Sequence, residues 1–164
     1  MFIDTHVHVD SFPDAAALAA AVQRADSAGV SAMVAVGGNP AGNRAAVAGA
    51  TGFPGHVHAA IGLDRDQAAA DRPAISLEQE LKQPGVVAVG EIGLDFHYHP
   101  ETVPAQKLLF EQMLDLARRH RLPAIVHSRE ADGDTVDLLR EHARLWRGDA
   151  GRLGVLHCFT GGAG

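Results

Sequence analysis

The chain has 164 residues, a length that suits one domain with an ordinary buried core. Hydrophobic residues make up 46% of it and charged residues 21%, values typical of globular proteins, which argues against disordered and fibrous classes. The net charge of −6 argues against a broad basic surface that holds nucleic acid through many phosphate contacts, although bound divalent cations could still attract an anionic substrate.

The sequence shows no feature that would direct the chain to a membrane or out of the cell. No apolar run approaches the ~20 residues needed to span a bilayer, and the N-terminus lacks the basic and apolar segments of a secretory signal. The single cysteine, Cys158, cannot form an internal disulfide, which fits a reducing compartment, and we expect a buried, inert thiol. The sequence therefore predicts a cytoplasmic protein with no membrane partner, and it leaves the oligomeric state open.

Short runs rich in β-branched residues alternate with helical stretches, the pattern of strand-helix units around a parallel sheet. The six predicted strands run roughly from Phe2 to His8, Ser31 to Val36, Val57 to Leu63, Val86 to Ile92, Ala124 to His127 and Gly154 to Cys158. The clearest helix runs from Pro104 to His120, where apolar residues recur every three or four positions, and another is expected from Asp14 to Ala28. Periodicity alone leaves open whether these units form a barrel or an open doubly wound sheet.

Histidines and one carboxylate stand at the carboxyl ends of four predicted strands. His6 and His8 in "THVHVD" are two residues apart, so both imidazoles can point to one side of their strand. Glu91 ends the fourth strand in "VGEIGLD", His127 the fifth in "IVHSRE" and His157 the sixth in "VLHCF". Barrels and open α/β sheets assemble their active sites at this end of their strands. Taken alone, the first pair could equally be satisfied polar residues at a strand end.

Imidazole nitrogens and a carboxylate together suit zinc, manganese or a similar divalent ion. Five such groups exceed what one catalytic zinc commonly uses, so the sequence favours two metal ions with Glu91 as the bridge. A metal pair can activate water and stabilise the oxygens of a displacement at phosphorus, which points to hydrolysis. Glu91 follows four apolar residues, and we expect it to be buried, where a charge needs a partner or a metal.

Two further histidine pairs are interpreted differently. His56 and His58 repeat the "HVH" spacing, but they stand at the start of the third strand, so we expect structural or surface residues. His97 and His99 lie in a polar loop after the fourth strand, and we expect them to be exposed or to face substrate.

The segments "FIDTHVHVD", "VVAVGEIGLDF", "LPAIVHSREA" and "GVLHCFTG" resemble, in order, the first, fourth, fifth and sixth strands of the TatD-type metal-dependent deoxyribonucleases of the amidohydrolase superfamily. The resemblance extends over the whole chain and implies an α/β fold of the (β/α)8 TIM-barrel family, here a single partial-barrel domain, residues 1–164, with about six parallel strands. It implies two divalent ions of the zinc, magnesium or manganese class. The metal ligands that it implies are His6, His8, Glu91, His127 and His157.

The resemblance also implies an activity and a partner. The activity is cleavage of phosphodiester bonds in DNA, as an exonuclease, and the partner is single-stranded or end-bound DNA. Glu91 is then a catalytic residue as well as a ligand. Arg129 in "HSREA" matches a family arginine beside the fifth-strand ligand, and we expect it to be catalytic and to contact phosphate or a ligand. Asp95 in "GLD" is expected to orient backbone or a ligand.

Two departures from the family pattern stand out. "GLDRDQ" replaces "GLHP" after the third strand, which puts Asp64 at the position of a histidine thought to handle substrate. We assign Asp64 to substrate binding, with a solvated loop acid as the alternative.

The chain also stops after its sixth strand, whereas a barrel of this kind has about 250 residues, and the family's later "ETD" segment has no counterpart.

The second departure predicts a fragment or truncation product, an open partial barrel whose first and sixth strands are unpaired. Two alternatives to an active deoxyribonuclease remain. One is a catalytically incomplete metal-binding fragment. The other is a different amidohydrolase that acts on amides or lactones, although such enzymes commonly carry a carboxylated lysine at the bridge, where this chain has Glu91.

Overall fold

A computed structural model describes residues 1–69, 77–157 and 159. Its strands are β1 (Phe2–Val7), β2 (Val30–Gly38), β3 (Val57–Leu63), β4 (Val86–Asp95), β5 (Ala124–Arg129) and β6 (Gly154–His157). Its helices are α1 (Ala15–Ser27), α2 (Pro40–Gly52), α3 (Val103–His120) and α4 (Asp132–Leu145). The strands form one sheet in sequence order, and every pairing is parallel, as predicted. The predicted strand end at Cys158, with its thiol, lies outside the described residues.

The strand boundaries differ from the prediction mainly in β4. We predicted an end at Ile92, but β4 continues to pair with β5 as far as Asp95. Gly93 permits this pairing: its φ is 132°, and a Cβ there would collide with the carbonyl oxygen of His127. Glu91 therefore lies inside a strand that is paired on both sides. β1 ends at Val7, one residue earlier than predicted.

The helices begin and end at residues whose chemistry suits those positions. The Asp14 carboxylate accepts a hydrogen bond from the Ala17 N–H at 2.8 Å and caps α1. Asn39 caps α2 in the same way, and Pro40 follows at the first helical position. α3 ends at His120, and the next residue, Arg121, adopts the left-handed conformation with φ of 54°. None of the described helices is long and apolar enough to cross a membrane.

Apolar side chains pack on both faces of the sheet. The main core lies between the sheet and the helices, and its largest fully buried apolar side chains include Phe110, Met113, Leu114, Ile61, Ile92 and Leu94. A smaller cluster comprises Val36, Ala60, Ala88 and Ile125. Its members alternate along their strands with residues of the main core, so they lie on the other face of the sheet.

The sheet curls strongly, as the partial-barrel prediction requires. β1 and β6 are its two edges, and in a flat sheet of six strands they would be about 24 Å apart. Yet the imidazole rings of His6 and His157, one from each edge, stack with centroids 3.5 Å apart and an interplanar angle of 12°. Thr5 and Val155, also from the two edges, line one hollow of ≈ 620 Å³. Among the described residues β1 pairs only with β2 and β6 only with β5, so the predicted open edges are present.

A buried histidine on α4 makes the stability of this fold sensitive to pH. His142 is 2% exposed, and its Nδ1 lies 3.3 Å from Nη1 of Arg118. Burial lowers the pKa of His142, and the neighbouring positive charge of Arg118 lowers that pKa further. His142 is therefore held neutral in the folded chain.

We expect the free energy of unfolding to fall as the pH drops below about 6.5, where His142 of the unfolded chain gains a proton that the folded chain does not take up. This group contributes a slope of up to about 1.4 kcal/mol per pH unit between its unfolded and folded pKa values. Urea unfolding between pH 7.5 and 5.5 should show a shallower pH dependence in His142→Leu than in the wild type. The exposed His56→Leu change controls for simple loss of a histidine, and equal slopes in wild type and His142→Leu would refute the assignment.

Candidate metal centre

The curled sheet brings the five predicted metal ligands to one rim. His6 lies near the end of β1, and His8 directly follows that strand. Glu91 comes from β4, His127 from β5 and His157 from β6. The four histidines lie within two residues of the carboxyl ends of their strands, as the sequence predicted, whereas Glu91 lies four residues before the end of β4. The short distances among the five side chains follow from strand adjacency and sheet curvature. Their contacts divide into two sides of the Glu91 carboxylate.

The first side of this carboxylate is formed by the two histidines of the first strand. The His6 and His8 Nε2 atoms are 3.2 Å apart, and they lie 3.4 and 4.0 Å from Glu91 Oε2. Two imidazole nitrogens this close need a shared proton or a cation between them. The edges of a tetrahedron of ligands around Zn²⁺, with bonds of about 2.05 Å, are about 3.3 Å long. The donor types and their spacing therefore fit a divalent metal ion.

His127 lies on the second side, and the fifth predicted ligand, His157, lies against the ring of His6. His127 Nδ1 lies 3.2 Å from Glu91 Oε1. His157 stacks against His6, and burial lowers its pKa, as does the neighbouring His6. A low pKa favours the neutral imidazole, which is the form that binds metals.

Glu91 is the electrostatic centre of the rim, and its predicted burial is confirmed, since it is 6% exposed. Burial by itself raises the pKa of this carboxyl. Hydrogen bonds with His127 and His6 and the charge of Arg65 outweigh burial, so the pKa of Glu91 lies well below its usual range. The carboxylate is thus ionised, with Oε2 facing the first-strand histidines and Oε1 facing His127.

Asp95 holds both the loop after β4 and the ring of His127. It is buried, and its Oδ1 accepts hydrogen bonds from the N–H groups of His97 and Tyr98 at 3.0 and 2.9 Å. Its Oδ2 lies 3.2 Å from His127 Nε2, on the opposite side of the ring from Glu91. Burial raises the pKa of Asp95, but the hydrogen bonds outweigh burial and lower it. A carboxylate behind a histidine fixes the ring and its tautomer, so these contacts agree with the orienting role expected for Asp95.

Sequence reasoning missed the role of Gln106. This buried side chain accepts from the Asp95 N–H at 2.8 Å and donates to the carbonyl oxygens of Asp95 and His99 at 2.9 and 3.0 Å. It thereby ties the end of β4 to the start of α3. A signal was available, since Gln106 interrupts the apolar face of the predicted helix three residues before Leu109.

Sequence reasoning also missed Arg65, which enters the site from the loop after β3. Its Nη1 lies 3.1 Å from Glu91 Oε1, and its Nε lies 3.6 Å from Asp66 Oδ1. The neighbouring Asp64 uses its carboxylate to accept from the Asp66 N–H at 3.0 Å, which caps the turn Arg65–Gln67. Burial raises the pKa of Asp64 to about 6, against the opposing effect of the Arg65 charge. The substrate-binding role of Asp64 stays a prediction.

Arg129 is the last residue of β5, and its side chain faces an aromatic ring. Its guanidinium carbon lies 4.6 Å from the centre of the Tyr98 ring, a cation–π contact, and Tyr98 is 62% exposed. The His97 ring meets the same tyrosine edge-on at 4.8 Å. In the described part of the chain, the contacts of Arg129 are with this loop and not with the five predicted ligands, and its catalytic role stays a prediction.

The two other histidine pairs lie in the loop after β4 and at the start of β3, the places in the fold that the sequence predicted. His97 is exposed and its Nδ1 lies 2.7 Å from Glu130 Oε1. His99 is half-buried in the same loop. His56 is exposed and His58 half-buried at the amino end of β3, opposite the rim. The second "HVH" is therefore not part of the cluster.

A curled parallel sheet with alternating helices, and histidines and a carboxylate at the carboxyl ends of its strands, is the arrangement of the metal-dependent hydrolases built on TIM barrels. A family model described as TatD related DNase matches residues 3–164. The chain therefore belongs to the TatD family.

Relatives in this family share most of the chain. The metal-dependent hydrolase YjjV of Escherichia coli K12 is 39% identical over 165 residues, which cover 98% of this chain and 61% of YjjV. The metal-dependent hydrolase TatD of Mycobacterium tuberculosis is 34% identical, with 98% of this chain and 62% of that protein covered. A protein of Edwardsiella piscicida named 3'-5' ssDNA/RNA exonuclease TatD is 37% identical, with 85% of this chain and 53% of that protein covered.

The fold agrees with a solved relative. The crystal structure of YjjV superposes with a TM-score of 0.83 at 34% identity, covering 98% of this chain and 61% of that one. The predicted (β/α)8-type architecture, with six of its strands in this chain, is confirmed. The chain spans about three fifths of the length of the YjjV and Mycobacterium relatives that it matches.

Proposed function

We propose that this protein is a TatD-type metal-dependent hydrolase that cleaves phosphodiester bonds in DNA as an exonuclease, with water activated by two divalent ions of the zinc, magnesium or manganese class. The observation that carries the proposal is the convergence of His6 and His8 Nε2 on the ionised carboxylate of Glu91. Related proteins are named metal-dependent hydrolases and, in one case, a 3'-5' ssDNA/RNA exonuclease, and these names support the proposal. The exonuclease name extends the candidate substrates to RNA.

In this proposal the ligands are divided between the two sides of Glu91. His6, His8 and Glu91 would hold one ion, and Glu91, His127 and His157 would hold the other. Divalent ions supply Lewis acidity toward a phosphodiester and a water nucleophile at neutral pH. Glu91 needs to lose no proton to bind a cation, because it is already ionised, and Asp95 keeps Nδ1 of His127 directed at the site.

The substrate side of the proposal rests on Arg129 and Tyr98. A guanidinium can donate hydrogen bonds to phosphate oxygens, and an exposed aromatic ring can stack on an unpaired base. Asp95 ties this pair to the rim, since its Oδ1 holds the backbone of Tyr98 while its Oδ2 contacts His127. Bases are available for stacking in single strands and at frayed ends, so the proposed partner is single-stranded or end-bound DNA.

Tyr98→Ala is expected to weaken binding of a short single-stranded DNA about tenfold, since one base–aromatic stack is worth about 1–3 kcal/mol. Fluorescence anisotropy with a labelled ten-nucleotide strand, in EDTA to prevent cleavage, measures the affinity. Tyr98→Phe keeps the ring and should bind like the wild type. Equal affinity of Tyr98→Ala and wild type would remove Tyr98 from the substrate site.

The proposed activity is tested by following hydrolysis of a 5'-labelled single-stranded DNA after EDTA treatment and addition of Mn²⁺, Mg²⁺ or Zn²⁺. We expect metal-dependent shortening from the 3' end that disappears in His8→Ala. The chain offers a matched control in its second "HVH", because His58→Ala removes the same residue type from the same motif outside the cluster and should retain activity. Hydrolysis that is insensitive to EDTA, or equal loss in both variants, would contradict the proposal.

A second candidate function is a metal-binding module without hydrolytic activity. It is favoured by the convergence of His6, His8 and Glu91, whose ligand atoms lie within 4.8 Å of one another. This second function is distinguished by divalent-metal binding that depends on His8 and Glu91 without hydrolysis of any oligonucleotide.

The cytoplasmic location remains a prediction.

A further inference from the structure

The guanidinium of Arg65 lies inside the candidate metal centre. Arg65 opens the short turn Arg65–Gln67, which two hydrogen bonds hold next to the end of β3: the Asp64 N–H donates to the carbonyl oxygen of Gly38 at 2.7 Å, and the Asp66 N–H donates to the Asp64 carboxylate at 3.0 Å. From this fixed turn the Arg65 side chain, 21% exposed, reaches Oε1 of Glu91 at 3.1 Å.

The contact of Arg65 uses one oxygen of Glu91, Oε1, and does not involve the other. Oε2 faces His6 and His8, and these three residues are the group whose ligand atoms converge within 4.8 Å. Oε1 is shared between His127 Nδ1 at 3.2 Å and Arg65 Nη1 at 3.1 Å. One side of the carboxylate is thus open to a metal ion, and a permanent positive charge already contacts the other side.

We propose that Arg65 is an internal cation that makes the two metal positions unequal. The first ion binds to His6, His8 and Oε2 of Glu91 and leaves Arg65 in place, whereas the second ion must displace the guanidinium from Oε1. The inference rests on the proposed function and adds to it an order of metal loading. A guanidinium and a divalent cation on the same carboxylate oxygen repel each other strongly in a partly buried site, so both cannot remain there.

The structure offers the displaced side chain a second partner. The Arg65 Nε is 3.6 Å from Oδ1 of Asp66, whose side chain is half exposed, so rotation toward Asp66 keeps an ion pair and moves the guanidinium toward solvent. There it would meet an incoming phosphodiester, an anion for which a guanidinium is a strong hydrogen-bond donor. Binding of the second ion is therefore coupled to release of a cation that can bind substrate.

Titration calorimetry with Mn²⁺ on the metal-free chain tests this inference. The wild type should bind one ion tightly and a second at least tenfold more weakly. Arg65→Gln, which removes the charge and keeps a polar side chain, should strengthen the second step by about tenfold or more and leave the first nearly unchanged. Arg44→Gln, at an exposed position on α2, is the matched control and should behave like the wild type.

Thermal unfolding separates competition for the site from a purely structural ion pair. Without metal, Arg65→Gln should melt below the wild type, because Glu91 loses a partner. On addition of saturating Mn²⁺, its melting temperature should rise by more than that of the wild type, because no guanidinium has to be displaced. A structural ion pair alone would leave the metal-induced rise unchanged, and that result would overturn the inference.

The outcomes also distinguish this inference from the proposed function. Two equal Mn²⁺ sites in the wild type, unaffected by Arg65→Gln, would overturn the role of Arg65 and leave the metal-dependent hydrolase standing. Failure of both proteins to bind Mn²⁺ and Zn²⁺ would overturn both.

Discussion

Glu91→Gln is expected to abolish tight binding of divalent metal ions, a loss larger than the 10–100-fold that follows removal of an outer partner of a metal ligand. The change keeps the shape of the side chain but removes the negative charge that two first-strand histidines, His127 and Arg65 all face. It also turns one oxygen into an N–H₂ group, which would face the Arg65 donor in the place of Oε1 and cannot bind a cation in the place of Oε2. Calorimetric titration of the metal-free protein with Mn²⁺ or Zn²⁺ measures the effect.

The control for Glu91→Gln is Glu111→Gln, which removes the same charge from an exposed position on α3 and should leave metal affinity unchanged. Circular dichroism before titration verifies that the Glu91 variant is folded. A folded Glu91→Gln protein with wild-type metal affinity would show that the ions bind elsewhere.

Substitutions at Asp95 are expected to separate its two tasks. Asp95→Ala leaves the N–H groups of His97 and Tyr98 without their acceptor and should lower the free energy of unfolding by about 3 kcal/mol or more, since it removes two hydrogen bonds to a charged group, each worth about 1.5–3 kcal/mol. Asp95→Asn retains an oxygen for those N–H groups but presents a neutral amide to His127. It should cost little stability and weaken metal binding by about 10–100-fold.

Urea unfolding and metal titration of the two Asp95 variants measure both effects. Asp137→Ala, on the exposed side of α4, is a control for the loss of a carboxylate. Unchanged metal affinity in Asp95→Asn would refute the view that Asp95 acts through His127, and unchanged stability in Asp95→Ala would refute its role in holding the loop.

Strand positions account for most of what the sequence predicted correctly. The two "HVH" motifs are identical in letters, yet their positions at opposite ends of their strands separated His6 and His8 at the rim from His56 and His58 at the far end. The burial of Glu91 followed from four apolar residues before it. In parallel strands the direction of the chain fixes which end of the sheet a residue occupies, so local pattern alone was enough for these assignments.

The features that the sequence did not predict depend on contacts between strands. β4 extends past Gly93 because the backbone there lies against the carbonyl of His127, a closeness that exists only once β5 is in place. Arg65 reads as one charge in the acidic loop "GLDRDQ", and nothing local indicates that its side chain reaches across to Glu91 on the next strand. The direction of Arg129, toward Tyr98, likewise depends on how the loop after β4 folds over the end of β5.

The most direct test of this account is a diffraction experiment on crystals of the chain soaked in Mn²⁺ or Zn²⁺, with data collected to record anomalous scattering from the metal. The expected result is a strong anomalous peak bounded by His6 Nε2, His8 Nε2 and Oε2 of Glu91, with Arg65 still on Oε1 at low metal concentration. Anomalous peaks only at other groups, such as the exposed pair His97 and Glu130, with no metal between the first-strand histidines and Glu91, would contradict the account.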